Sequence, residues 1–144
     1  MGLSHYWERE IELPADRFGL AVEDCRKTLS SLDIVLAGFD GSGEPVISND
    51  EIVFNGTDGL GCEPFVFKRT QLPRHGRNIP FSYCKTDHLP YDLCVKSALV
   101  ILKHYLGKHL RVMSDGGDEN WLDAKQACMS CVGYGTEFLL SSKK

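Results

Sequence analysis

Ile79-Pro80-Phe81-Ser82-Tyr83 runs into the polar turn Cys84-Lys85-Thr86-Asp87-His88, and Leu110-Arg111-Val112-Met113 runs into Ser114-Asp115-Gly116. Between these two strand-and-turn segments, residues 90–106 carry a helical pattern that Gly107 ends. At 100° per residue, Cys94, Val95, Ala98, Ile101, Leu102, Tyr105 and Leu106 share one broad face, while Asp92, Lys96 and Lys103 share the opposite one. Leu93 and Val100 lie near the polar side, which predicts a helix covered on more than one flank. Two parallel strands side by side in one sheet, joined through this helix, form a right-handed βαβ unit. Both polar turns then lie beyond the C-terminal ends of the strands, the edge at which open α/β sheets hold ligands.

Outward from this unit the pattern stays legible. Residues 4–12 alternate loosely and predict a first strand, with His5 and Trp7 on one face and Tyr6 on the other. Pro14-Ala15-Asp16 opens a helix to about residue 31, because Phe18, Ala21, Val22, Cys25, Leu29 and Leu32 form one apolar stripe. Strands are expected at 33–38, 51–55 and 64–68, separated by Asp40-Gly41-Ser42-Gly43 and the glycine-rich loop 56–61. A last helix from about 118 to 131 carries acids in its first turn, buries Trp121, Ala124 and Cys128, and stops at Gly133-Tyr134-Gly135. The expected fold is α+β: a mixed sheet of about six strands with three helices, in which an antiparallel meander extends the C-terminal βαβ unit. At 144 residues the chain reads as one domain, 1–144, with a short polar tail from about 140.

Composition narrows the partners. Sixteen basic against twenty acidic residues give a formal charge of −4, which argues against general affinity for nucleic acid or an anionic membrane surface. No apolar run approaches the ~18 residues of a membrane helix. The N-terminal residues lack a basic, then apolar, leader pattern, so a cytoplasmic setting with six reduced cysteines is expected.

The chain resembles a widespread group of small intracellular proteins to which no activity is attached. The resemblance rests on Gly2-Leu3-Ser4-His5-Tyr6-Trp7, Leu36-Ala37-Gly38 with Asp40-Gly41, Phe54-Asn55-Gly56, Cys84-Lys85-Thr86 with Pro90-Tyr91-Asp92, and Ser114-Asp115-Gly116. It implies a single domain and no particular chemistry.

The candidate site is therefore positional. Lys85, Thr86, Asp87, His88, Ser114 and Asp115 are expected to bind a small polar or anionic ligand, with Lys85 supplying charge and the helix N-terminus supplying amide donors. Capping by Thr86 or Asp87 and an Asp115-Gly116 turn explain the same residues more plainly. A thiolate at Cys84 with His88 as base needs contact geometry that sequence proximity does not supply. Cys128-Met129-Ser130-Cys131 lacks a second pair for zinc and lies at a helix end, where the dipole disfavours thiolate. The basic cluster Lys68, Arg69, Arg74, His75 and Arg77 has no interleaved aromatics and reads as a solvated loop. Asp115, Asp118, Glu119 and Asp123 fail the spacing of a calcium loop. No cofactor or metal is expected. The second reading is a protein-interaction module, a homodimer, with exposed aromatic side chains as its signature.

Overall fold

In the computed structural model, which describes residues 2–141, strand alternation organises the first sheet. β1 (Ser4–Arg9) turns His5, Trp7 and Arg9 inward and leaves Ser4, Tyr6 and Glu8 half-buried, the period of two of a strand with one covered face. It pairs antiparallel with β6 (Phe81–Lys85) along one edge and with β7 (Leu110–Ser114) along the other. β6 and β7 therefore point the same way, joined through α2 (Asp92–Leu106). They are not immediate neighbours, because β1 runs between them in the opposite direction. That insertion brings the start of β1 to the edge where both polar turns emerge. Every hydrogen-bonded strand pair in the described residues is antiparallel.

The fold is α+β, with three helices and strands in two sheets. The expected meander does not extend the first sheet but forms the second. β4 (Glu51–Gly56) pairs with β5 (Phe65–Lys68), with β3 (Val46–Ile47) and with β2 (Leu36–Ala37). A two-residue strand such as β3 is too short to display alternation, and its pairing with Ile52 and Val53 is a tertiary fact. α1 (Ala15–Ser31) buries Phe18, Ala21, Val22, Cys25 and Leu29, the expected stripe. α3 (Leu122–Val132) follows a 3₁₀ turn at Asp118–Trp121 and ends where Gly133, at φ 85°, donates to the carbonyls of Cys128 and Met129. α2 is buried on nearly all sides, against α1, α3 and β7. Its polar side is not solvated: Asp92 and Lys96 are buried, and Lys103 Nζ donates to the carbonyls of Gly107 and Leu110.

Two side chains of β1 join the sheets. Trp7 is fully buried, its ring 5.3 Å from Phe65 and 6.0 Å from Phe67, and Phe67 stacks in turn on Phe18 at 6.2 Å. Arg9 is 2% exposed and donates to the carbonyls of Glu10, Ile11, Lys68 and Arg69. Its guanidinium lies 5.1 Å over Phe67. Burial lowers its pKa to about 10, so it stays charged at neutral pH. Five N–H donors in a rigid fork suit arginine to such a carbonyl cage. Removing Trp7 opens the junction on both sides. Trp7→Ala is expected to cost about 3–5 kcal/mol in urea unfolding, and a loss below about 1 kcal/mol would show that the sheets do not depend on it.

Candidate functional site

At the edge where β6 and β7 end and β1 begins, a buried polar chain links four elements. The Asp92 carboxylate, in the first turn of α2, is its centre. Asp92 Oδ1 accepts from His5 Nε2 at 2.6 Å and from the Thr86 hydroxyl at 2.5 Å, while Oδ2 lies 3.2 Å from Lys96 Nζ. His5 Nδ1 is 2.8 Å from Ser114 Oγ, which also accepts from the Gly116 amide at 3.1 Å. Lys96 Nζ continues the chain to the Asn120 carbonyl at 2.7 Å and to Asp123 at 2.9 Å. Burial pushes the Asp92 carboxyl up, but His5 above all, then the Thr86 hydroxyl and the Lys96 ammonium, pull it below the ordinary value of 3.8. The ionised carboxylate can only accept, which makes His5 Nε2 the donor.

Above this chain lies a pocket of about 550 Å³. Asp92, Lys96 and Asp115 supply its charged walls, His88 and Asn120 its rim, and Gly2, Leu3 and Gly116 its backbone surface. Asp115 is tied to β1: its carboxylate accepts from the Ser4 amide at 3.0 Å and the Tyr6 hydroxyl at 2.9 Å, and its own amide donates to the Ser4 carbonyl. The bond to Asp115 raises the Tyr6 pKa. The Thr86 and Asp87 amides both donate to the Leu3 carbonyl, tying the turn to the N-terminal segment. Asp87 and His88 follow at φ 56° and 64°, left-handed values that non-glycine residues rarely adopt.

Of the six residues expected from sequence, His88 and Asp115 line this pocket. Thr86 and Ser114 are buried beneath it in the hydrogen-bond chain. Lys85 and Asp87 are exposed beside Gly2 and do not line it. The expected amide donors at the start of α2 are spent: Asp92, Leu93 and Cys94 donate to the carbonyls of Leu89, Pro90 and Tyr91. An anion finds few donors there. Sequence reasoning missed Asp92, Lys96, Asn120, His5 and the Gly2-Leu3 backbone. The signal lay in two charges one turn apart in the stretch Asp92–Leu102, whose other residues are apolar save Ser97, and in a histidine sharing a strand face with a tryptophan.

Ser114, His5 and Asp92 are in the order of a hydrolytic triad, yet the arrangement is not set up to attack a substrate. Ser114 and His5 are 2% and 1% exposed, and neither borders the pocket. The Gly116 amide, which an oxyanion would need, is bonded to the Ser114 oxygen itself. Cys84 is fully buried, donates to the Glu63 carbonyl, and has its pKa raised by burial, whereas His88 is on the surface. The two therefore form no nucleophile and base. In the C-x-x-C pair, Cys128 is buried, its pKa pushed up to about 12, chiefly by burial, and Cys131 is half-buried. Among the described residues no group of three or more His, Cys, Asp or Glu side chains is placed to hold a metal ion. Asp118 instead accepts from the Leu140 amide, and Asp123 holds Lys96. Among the described residues no helix is long and apolar enough to cross a membrane.

No family model, curated protein or solved structure matches the chain. The chemistry of the pocket rests on its own residues.

Asp92 makes the site sensitive to acid. Its folded pKa lies below the unfolded one, so its stabilisation is complete above the ordinary carboxylate range and lost as pH falls through the folded value. Asp92→Asn is expected to remove about 3 kcal/mol at neutral pH, because it breaks a buried pair and leaves Lys96 and His5 mismatched. It should also flatten the loss of stability that the wild type shows below about pH 4. Urea unfolding followed across pH reads both effects. An unchanged midpoint at neutral pH would mean the network is not holding the fold.

Proposed function

We propose that this chain binds a small, donor-rich polar molecule, one carrying hydroxyl or amine groups, in the pocket above Asp92. The observation that carries the reading is the balance of charged groups there. Two carboxylates, Asp92 and Asp115, face one ammonium, Lys96, which is already bonded to Asp92, Asp123 and the Asn120 carbonyl. With the first amides of α2 used internally, few backbone donors face the pocket, and Asp92 and Asp115 are the carboxylates that line it. A hydroxyl or ammonium group satisfies them, while a phosphate or second carboxylate meets repulsion from Asp115. This narrows the earlier expectation of a polar or anionic ligand to its first half.

Rigid support favours a preformed site. The walls come from strand ends and the first turns of a buried helix, and their side chains are fixed by partners beneath the surface. The alternative reading, an interaction module, gains weight if several of Tyr6, Trp7, Trp121 and Tyr134 are exposed together. Trp7 and Trp121 are fully buried, and the two tyrosines are half-buried.

Thermal-shift screening of the purified chain against polyols, amino sugars, polyamines and phosphorylated metabolites tests the proposal. A true ligand at a hundredfold excess over its Kd contributes about 2.7 kcal/mol, a rise of about 5–10 °C for a protein of this size. The expected result is a rise with donor-rich compounds that Asp115→Asn and Asn120→Ala abolish. A rise confined to phosphorylated compounds would overturn the chemistry proposed. No rise with any class, together with a dimer in solution, would overturn the site in favour of the interaction reading.

A further inference from the structure

A second concave surface lies where the two sheets meet. The edge strands β5 and β6 are pinned together at one end, where the Glu63 amide donates to the Lys85 carbonyl and the Glu63 carboxylate accepts from the Lys85 amide at 2.8 Å. Near the other end Gln71 and Ser82 bond through their side chains at 2.9 Å. Between these ties opens a groove of about 590 Å³.

Its lining unites features far apart in sequence. Phe81 and Tyr83 stand on the outer face of β6, with ring centroids 6.3 Å apart, and Tyr83 is 58% exposed. Phe39, 61% exposed, comes from the loop after β2, which the Asn55 side chain anchors by donating to the Phe39 carbonyl. Lys68 ends β5. Arg74 and Arg77 occupy the corners of a tight turn whose central residues, His75 and Gly76, sit at φ 55° and 74°, and the Arg77 amide donates to the Arg74 carbonyl. The Arg77 guanidinium lies 4.2 Å over the Phe81 ring. Among the described residues Lys68, Arg74 and Arg77 make no ion pair. The one carboxylate lining the groove, Glu63, is occupied by the Lys85 amide.

The expectation of a solvated basic loop rested on the lack of interleaved aromatics. Folding supplies them from β6 and from residue 39. Three unpaired cations beside exposed aromatic faces, within a chain of net charge −4, form a local positive surface and not a general one. Cations alone would suit any acidic chain. The Arg77 guanidinium over the Phe81 ring, with exposed rings at Phe39 and Tyr83 and the polar side chains of Gln71 and Ser82 in the same lining, suits an anion that also carries planar bases.

We propose that this groove binds single-stranded nucleic acid, with Phe39 and Tyr83 stacking on bases and Lys68, Arg74 and Arg77 contacting phosphates. It is independent of the pocket above Asp92, and either site stands without the other.

Fluorescence anisotropy of the full chain with short labelled oligothymidylate and oligouridylate tests it. Saturable binding is expected for at least one of them, with log K falling against log salt at a slope of about −2, the value for three phosphates on a single strand. Tyr83→Ala and Phe39→Ala should each weaken binding at least about fivefold with the slope unchanged. Arg74→Ala and Arg77→Ala should make the slope shallower. Both aromatic side chains are mostly exposed, so these variants are expected to keep the wild-type melting temperature, and circular dichroism verifies this. DNA and RNA are told apart by which probe binds more tightly. No saturable binding to either at about 50 mM salt would overturn the proposal. So would binding indifferent to both aromatic substitutions, or equal affinity for polyglutamate, which would make this an acidic-peptide site.

Discussion

The Asp92 carboxylate is the point at which this fold and its pocket are held together. A charge removed from water inside a protein is tolerated only when partners surround it. Asp92 takes them from three places: His5 on β1, Thr86 in the turn after β6, and Lys96 one turn further along its own helix. His5 passes the constraint to Ser114 at the end of β7, and Lys96 passes it to Asn120 and Asp123. The edge of the first sheet, the start of α2 and the segment leading into α3 are thereby fixed by one connected set of bonds. Such a network is strong when complete and costly when one member is lost.

The same arrangement explains how the pocket comes to be polar while the groups beneath it are occupied. Its reactive-looking groups are used against one another. The serine and histidine are sealed beneath the surface, the lysine is neutralised, and the helix amides are consumed in the tight turn that begins α2. What lines the pocket is Asp92, Asp115, Lys96, His88 and Asn120, the residues on which the proposed recognition rests. The groove between β5 and β6 has the opposite character: among the described residues its cations make no ion pair, and the rings of Phe39 and Tyr83 are exposed. One small α+β fold thus presents two surfaces of different chemistry, one at the end of a sheet and one between the edges of two sheets.

Much of this was legible in the sequence because it is local. The stripe of α1, the buried Trp7 beside a half-buried Tyr6, and the glycine stop at Gly133 all follow from periodicity and turn chemistry. The insertion of β1 was not legible, because no local pattern says which strands pair. That one topological fact moved His5 and Leu3 into the site. Asp92 and Lys96 were misplaced for a related reason. Charges at helical spacing look the same whether they face water or a buried partner, and the partners here come from residue 5 and residues 120–123. Lys85, by contrast, was favoured by its position in the turn, but its side chain lies on the surface outside the pocket.

The central claim is that Asp92 and His5 act as a coupled pair that holds β1 to α2. A double-mutant cycle with Asp92→Asn, His5→Gln and the double variant, followed by urea unfolding at neutral pH, measures that coupling directly. The account predicts that the two single losses overshoot the loss in the double variant by at least about 1 kcal/mol. Losses that add to within about 0.3 kcal/mol would show that the two residues act independently and would contradict it.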